Sequence, residues 1–322
     1  MKYVYGPVPS RRLGFSLGVD IVPYKTCTLD CIYCQLGKTT CKTVERRPYA
    51  RKADVLEEIK GVFSRKQTID YITFSGSGEP TLNAEIGDLI REIKSISPVP
   101  VVVLTNGTLL FRKDVQNDLR EADIVMPSLD AASAGMFRRI NRPHGALNVD
   151  SVIQGLKEFR EMYNGRRWVE VMLIKNFNDS PEELARIKDA ISGIQPERVY
   201  LNTVVRPPSE IYAKPLNSDE MAMIRNYLDK NCEVIAAFHG QEVEEVQNAE
   251  DAAVEMTRRR PVTVTDIAGV LGVSEANART LVKTLKDAGK LKEKQYKGEK
   301  YYSYAAENRA PMLCRETKQK SV

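Results

Sequence analysis

The chain has 322 residues, 42% hydrophobic and 28% charged, with a net charge of +5. These are ordinary values for a globular protein large enough to bury one sizeable core and a smaller second one. No stretch approaches the apolar length of a membrane span, and the start, Met-Lys-Tyr-Val-Tyr-Gly-Pro, lacks the apolar centre of a secretory leader; the expected setting is the reducing cytoplasm, where thiols stay free.

In chain order, residues 1–15 carry two prolines and the Arg11-Arg12 pair and read as an irregular lead-in. Positions 16–22 alternate Leu17, Val19 and Ile21 with Gly18 and Asp20, the signature of a strand. The run Cys27-Thr-Leu-Asp-Cys31-Ile-Tyr-Cys34 follows at once. A helix is predicted over 51–64, then a short strand at 71–75 that runs into Gly76-Ser77-Gly78-Glu79-Pro80. Helix 84–95, strand 100–105 with the Asn106-Gly107 turn, helix 114–121 and strand 124–129 ending at Asp130 come next. Two helices near 132–140 and 149–163 precede a strand at 168–174. Ser180-Pro181 opens another helix as cap and first-turn proline. Strand 199–205, the Arg206-Pro207-Pro208 break, helix 217–229 and a further strand at 232–238 complete this part. Strands alternating with helices imply parallel pairing with right-handed crossovers. Six such units fall short of a full eight-fold barrel and fit either an open doubly wound sheet or a partial barrel.

Chemistry concentrates where such folds place it, at the C-terminal ends of strands. Cys27, Cys31 and Cys34 have the spacing C-x3-C-x2-C. Thiolates suit iron–sulfur clusters and zinc. A cubane cluster normally takes four cysteines, so three leave one iron open for chemistry. Zinc would want a fourth ligand, for which Cys41 is the nearby candidate, while His144 and His239 are distant in sequence. Packing alone would be a third use for such thiols. The glycines at 76 and 78 let backbone approach a ligand closely, and Glu79 can accept from an ammonium group.

The cysteine spacing, with Tyr33 before the last thiol, resembles the cluster motif of the radical S-adenosylmethionine (SAM) superfamily. That resemblance implies a partial (β/α)6 barrel, and a 4Fe-4S cluster on Cys27, Cys31 and Cys34. It also implies SAM on the open iron, reductive cleavage to a 5′-deoxyadenosyl radical, and an electron donor such as a flavodoxin or ferredoxin. The segment 76–80, about 45 residues after Cys34, resembles the superfamily's Gly-Gly-Glu motif, with Ser77 splitting the glycines. SAM contacts are thereby implied for Tyr33, Gly76, Gly78, Glu79, Asn106, Ser128 and Asp130. For Tyr33 a packing ring is the plain alternative, and for Asn106 a left-handed turn position. Ser128-Leu129-Asp130, Phe137-Arg-Arg-Ile-Asn-Arg-Pro143 and Met172-Leu-Ile-Lys-Asn-Phe-Asn178 together resemble the wyosine-type tRNA synthases, over roughly residues 14–208. Those synthases carry further cysteines upstream. Here none precedes Cys27, and Cys41, Cys232 and Cys314 are scattered, so a second cluster and its condensation chemistry do not carry over. Lys175 and Arg206, at strand ends, suit an anionic substrate or a solvated rim.

After an acidic stretch at 242–255 the pattern changes. Thr265 is placed as N-cap of a short helix, Leu271-Gly272-Val273 as a turn, and Ser274 as cap of a helix over 275–288. Its Ala278, Leu281, Val282 and Leu285 point inward, and Gly289 stops it. Segments 291–296 and 299–304 flank Lys297-Gly298 as a hairpin. Together these predict a winged helix-turn-helix over 246–308, following a barrel domain over 1–245 and preceding a polar tail at 309–322. From Arg258 onward fifteen Lys/Arg face seven Asp/Glu, a balance of +8 that leaves −3 for the rest of a chain of net +5. Basic charge on such a module suits nucleic acid, with Asn277, Arg279, Lys283 and Lys286 on the second helix, though the same module also serves protein docking. Deletion of 258–322 is expected to leave SAM cleavage largely intact. The function so implied is a radical SAM enzyme that abstracts hydrogen from a substrate of RNA, peptide or small-molecule type. The alternatives are an iron–sulfur redox sensor that binds DNA, or a zinc-stabilised nucleic-acid-binding protein.

Overall fold

The computed structural model describes residues 2–10, 12–64, 68–228, 231–235 and 249–305. Its framework is one eight-stranded sheet in near-sequential order. Strand β1 (Val4–Ser10) lies antiparallel at one edge against β2 (Gly14–Val19). From β2 onward every neighbour is parallel: β3 (Tyr71–Phe74), β4 (Val101–Thr105), β5 (Ile124–Pro127), β6 (Arg166–Leu173), β7 (Arg198–Thr203) and β8 (Cys232–Val234). Helices α1 (Lys52–Phe63), α2 (Ile86–Ile96), α3 (Lys113–Leu119), α4 (Ala134–Ile140), α5 (Val149–Met162), α6 (Pro181–Ile194) and α7 (Ser218–Leu228) fill the crossovers. The result is a mixed α/β fold with a parallel sheet, consistent with a partial barrel.

One expectation fails at the start. Residues 4–10 form a strand, not an irregular lead-in. Pro7 and Pro9 are tolerated there because β1 is an edge strand, and the register breaks between Tyr5 and Val8. Those prolines and that irregularity hid the alternation.

Both faces of the sheet are apolar, which explains why its strands read as near-continuous hydrophobic runs. Val101, Val103, Val169, Val171, Leu173 and Leu201 join the core under the helices. Val102, Ile124, Met126, Trp168 and Tyr200 form a cluster on the opposite face. Two residues further along, that second face turns polar, with Glu170 after Trp168 and Asn202 after Tyr200. Asn202 Nδ2 donates to Glu170 Oε1 at 2.9 Å. The sheet thus has an apolar floor and a polar upper wall near its C-terminal strand ends.

Beyond the sheet, α8 (Ala249–Arg259), α9 (Val264–Leu271), α10 (Glu275–Asp287) and the hairpin β9 (Leu291–Tyr296) and β10 (Glu299–Tyr304) surround a second core. Gly272, at φ +65°, makes the turn between α9 and α10, and Ser274 caps α10 through the Asn277 N–H. Lys297 and Gly298 both take positive φ, as a two-residue hairpin turn of this hand requires. The cap of α9 is Thr263, not Thr265. The Thr263 hydroxyl accepts from the Asp266 N–H at 3.0 Å, while Asp266 Oδ2 accepts from the Thr263 N–H at 3.0 Å. Thr265 donates to Glu275 instead. Val8 of β1 packs on this second core, and the hydroxyls of Tyr296 and Tyr301 donate to the carbonyls of Val204 and Val205 after β7. No described helix is long and apolar enough to cross a membrane. Positions 229, 236–238, the first half of the acidic stretch (242–248), the predicted tail and Cys314 lie outside the described residues.

Candidate active site

The cysteine loop leaves the end of β2 and passes through a two-residue parallel ladder, Thr26–Cys27 against Cys41–Lys42. Cys27, Cys31 and Cys34 are half-buried free thiols. Each receives a different side-chain nitrogen. Lys25 Nζ donates to Cys34 Sγ at 3.0 Å, Asn106 Nδ2 to Cys27 Sγ at 3.5 Å, and Asn141 Nδ2 to Cys31 Sγ at 3.5 Å. Burial pushes the Cys27 thiol up to about 11, with the Glu79 carboxylate adding to it. Burial, and then Asp130, raise Cys31 well above the thiol range. Left alone these groups stay protonated; a cationic soft centre with N–H donors around it is what would hold them as thiolates. Among the described residues no three His, Cys, Asp or Glu converge tightly enough for a single metal ion. Three thiols of this spacing, each with its own donor, fit the outer corners of a polynuclear cluster better than a point ligand set.

Lys25 was not singled out from the sequence. It is buried, at φ +57°, with its N–H donating to Ser77 O at 2.7 Å. Burial opposes its charge, but the thiols of Cys34, Cys27 and Cys31 outweigh that and raise it. One residue therefore ties the cysteine loop to the glycine segment and neutralises part of the sulfur charge.

The glycine segment has little room for anything but glycine. A Cβ on Gly78 would stand 2.0 Å from Thr26 O, and Gly76, at φ +143°, would put one 2.5 Å from the Asp20 carboxyl carbon. Glu79 is buried and heavily engaged. Its Oε1 accepts from the Thr81 N–H (3.1 Å), the Thr81 hydroxyl (2.6 Å) and the Thr105 hydroxyl (2.6 Å), and its Oε2 from the Asn106 N–H (2.7 Å). Burial raises its pKa, opposed by these donors. With about four acceptor directions on a carboxylate, what remains for a ligand's ammonium group lies on Oε2.

Asn106 is not the left-handed residue of its turn; Gly107 is, at φ +74°. The Asn106 amide instead donates to Thr28 Oγ1 at 2.7 Å and reaches Cys27. Asp130 accepts from the Tyr33 hydroxyl, from Asn141 Nδ2 at 2.8 Å and from the Met172 N–H at 3.0 Å. Burial pushes it up to about 6 against those donors. Tyr33 and Asn141 are thus held by one carboxylate, and Asn141 passes that order on to Cys31. Ser128 has its N–H bonded to Thr105 O at 3.0 Å. Lys175 is paired at the rim with Glu220 at 2.7 Å.

A cavity of about 380 Å³ adjoins the loop. Tyr33, Cys34 and Gly76 line it; Glu79, Asn106, Ser128 and Asp130 do not. Its wall also takes in Glu170, Asn202 and Arg206 from the barrel, and Met256, Arg259 and Arg260 from α8 and the residue after it. Arg259 Nη1 pairs with Asp20 Oδ2, which also accepts from the Ser77 N–H (3.1 Å) and hydroxyl (2.6 Å). Burial raises the Asp20 pKa even so, with Arg259 the main opposing influence. The C-terminal module therefore reaches the back of the glycine segment through one arginine. That join bears on the expected outcome of deleting 258–322, since cutting before Arg259 would leave Asp20 buried and without its cation. Among these residues, Asn141 lay within a quoted motif and Lys25 just before one. Nothing in the local sequence marked Asp20, Glu170, Arg259 or Arg260.

A family profile described as the radical SAM superfamily matches residues 21–187. A UPF0026 protein of Methanocaldococcus jannaschii is 32% identical over 309 residues, 94% of this chain and 96% of that one. A protein of Brachyspira hyodysenteriae named GTPase Obg is 39% identical over 301 residues, 92% of this chain but 44% of its own length, so the chain spans less than half of that relative. A radical SAM methyltransferase structure from Sphaerobacter thermophilus superposes with a TM-score of 0.54 at 17% identity, over 68% of this chain and 65% of that one, a likeness of fold.

Proposed function

This chain belongs to the radical SAM superfamily, enzymes that use a 4Fe-4S cluster and SAM, and we propose that Cys27, Cys31 and Cys34 hold that cluster, with SAM seated between it and the strand ends. When bound, the pair supplies reductive cleavage of SAM and a carbon-centred oxidant. The chain's own residues do the rest. Lys25, Asn106 and Asn141 stabilise sulfur charge. Gly76, Gly78 and Glu79 offer close backbone and one carboxylate oxygen to the amino group. Tyr33, fixed by Asp130, borders the cavity. Asn106, Ser128 and Asp130 complete the surroundings, the last by positioning Tyr33 and Asn141. The polar wall of Glu170 and Asn202 faces the substrate, and the surrounding barrel and α8 exclude water from the reacting groups.

The observation that carries this reading is the set of three half-buried thiols, each with its own side-chain donor, with Cys34 opening onto the cavity. Anaerobic reconstitution tests it. About four irons and four sulfides per chain are expected, a stoichiometry set by the cluster type, together with 5′-deoxyadenosine formed from SAM under dithionite. Stoichiometric zinc without iron would end it.

The segments 137–143 and 172–178 also resemble the wyosine-type tRNA synthases. Asn141, within the first of these segments, sits on both Cys31 and Asp130, which supports a shared site arrangement without fixing the reaction. We further read α9, α10 and the β9–β10 hairpin as a winged helix-turn-helix whose exposed face takes a nucleic-acid strand. Lys283 on α10 and Lys292 and Lys294 on β9 have no ion-pair partner among the described residues, whereas Arg279 and Lys286 are paired with Glu275 and Glu293. RNA is then the favoured substrate class. The DNA-binding sensor is less favoured, because the hairpin is held to the barrel by Tyr296 and Tyr301 rather than extended toward a groove.

A further inference from the structure

The cavity wall is strongly cationic. Arg12, Arg206, Arg259 and Arg260 line it, against one lining carboxylate, Glu170. Two of the four are accounted for. Arg12 is paired with Glu170, and Arg259 with Asp20. The other two are not. Arg206 Nη2 stands 3.7 Å from Asp266 Oδ1, beyond hydrogen-bond reach, and its buried Nε has no hydrogen-bond partner among the described residues. Of Arg260 only the backbone N–H is bonded, to Met256 O at 3.1 Å; its side chain has no hydrogen bond or ion pair among the described residues. Burial, then Arg206, pushes Arg260 down to about 10, with Arg12 acting the same way. Like charges have been gathered around a cavity whose volume is that of a ligand site.

We propose that Arg206 and Arg260, beside Arg12, form an oxyanion subsite in the substrate cavity, built jointly by the barrel and the C-terminal module, that takes a phosphate group of the substrate. The surplus left after internal pairing lies between one and two charges, because Asp266 offsets Arg206 only loosely. A phosphate group, a monoanion as a diester and a dianion as a monoester near neutral pH, spans that surplus, and guanidinium forks bind it through paired N–H donors. The inference rests on the cavity being the substrate site of a radical SAM enzyme. It also gives the C-terminal module a role inside the site rather than only on its outer face.

The test uses the full chain and inorganic phosphate, at constant ionic strength with chloride as the reference anion. Phosphate should raise the unfolding temperature of the wild type, and Arg206→Gln and Arg260→Gln should each weaken its binding by about tenfold or more, the usual loss for one charge-assisted partner. Arg260→Lys, which keeps the charge but not the fork, should lie between; should Arg260→Gln fail to fold, it and Arg206→Gln carry the test. A short single-stranded RNA without terminal phosphate provides a second arm. Competition with phosphate that the same variants remove assigns the phosphate to an RNA backbone; no competition assigns it to a phosphorylated small molecule. Unchanged phosphate binding in both glutamine variants overturns the proposal. So does a parallel loss of SAM affinity in the reconstituted protein, which would give the arginines to the SAM carboxylate. A wild type that binds phosphate but forms no 5′-deoxyadenosine would instead count against the enzyme assignment and leave the subsite standing.

Discussion

The cysteine loop and the seam beneath the C-terminal module are built by opposite strategies. In the loop, Lys25 reaches Cys34 across nine positions, and the three thiols lie within eight residues. At the seam, Arg259 reaches Asp20 across 239 positions and the Ser77 hydroxyl across 182. The loop's thiols are set out locally, so spacing alone reveals them. The seam exists only after the sheet has closed and the module has docked, so no window of sequence contains it. Yet both converge on the glycine segment, Lys25 through Ser77 O and Arg259 through Asp20 and the Ser77 hydroxyl. A ligand held by Gly76 and Gly78 would be supported from both.

Breaking the loop should have the larger effect on chemistry. Cys31→Ala removes one of the three proposed cluster ligands and should take iron content and 5′-deoxyadenosine formation to background, measured by metal analysis and chromatography after anaerobic reconstitution. Retention of SAM cleavage would mean that the cluster is not held by this trio.

Breaking the seam should cost stability. The Asp20 and Arg259 side chains are 2% and 11% exposed. Arg259→Gln leaves a buried carboxylate without its cation, a loss of about 3–5 kcal/mol in denaturant unfolding. The sign of its pH dependence follows from Asp20. Its folded pKa is already above the ordinary carboxylate value, and Arg259 is the strongest influence lowering it. The variant therefore raises it further. Below the unfolded value both states hold the proton and the added penalty vanishes. Above it the unfolded chain releases its proton first, so the penalty grows up to the folded pKa and is full above it. Adding Asp20→Asn should recover most of the loss. A variant equally damaged at acid and neutral pH would show that packing, not charge, joins the two regions.

A smaller effect should come from the donors that surround the sulfurs. Asn141→Ala removes the N–H on Cys31 and one of the three donors on Asp130. Outer partners of this kind are typically worth 10–100-fold in metal affinity or activity, so cluster retention and cleavage rate should fall by about that factor. The cluster's reduction potential should move downward, because a hydrogen bond that stabilised sulfur charge is gone. An unchanged potential in Asn141→Ala would make the contact incidental.

What the sequence revealed divides along the same line. The parallel order, the helices and the cysteine loop were legible because period and spacing are local properties. The edge strand β1 was not, since its prolines break the pattern that an edge position permits. Glu170 and Asn202 are polar residues in apolar strands, and only the sheet's second face brings them side by side. Asp130 was identified as a ligand contact, yet its carboxylate is occupied by Tyr33, Asn141 and the Met172 N–H. Residue type and strand-end position singled it out; the hydrogen bonds show it engaging Tyr33 and Asn141.

The smallest expected effect probes a local signal that was misread by two residues. Val-Thr-Val-Thr-Asp offers two threonines as the cap of α9, and the geometry selects Thr263, with Asp266 closing a reciprocal capping box. Thr263→Ala should cost about 1 kcal/mol, the usual value for a lost threonine cap, whereas Thr265→Ala should stay within a few tenths, because it gives up only an exposed bond to Glu275. The choice bears on the seam as well. Asp266 is held by the same box and faces Arg206 from its other oxygen. Loosening the cap should therefore free Asp266 to move toward or away from Arg206 and change phosphate affinity, while Thr265→Ala should leave it alone. A larger loss from Thr265→Ala than from Thr263→Ala would return the cap to the register that the sequence suggested.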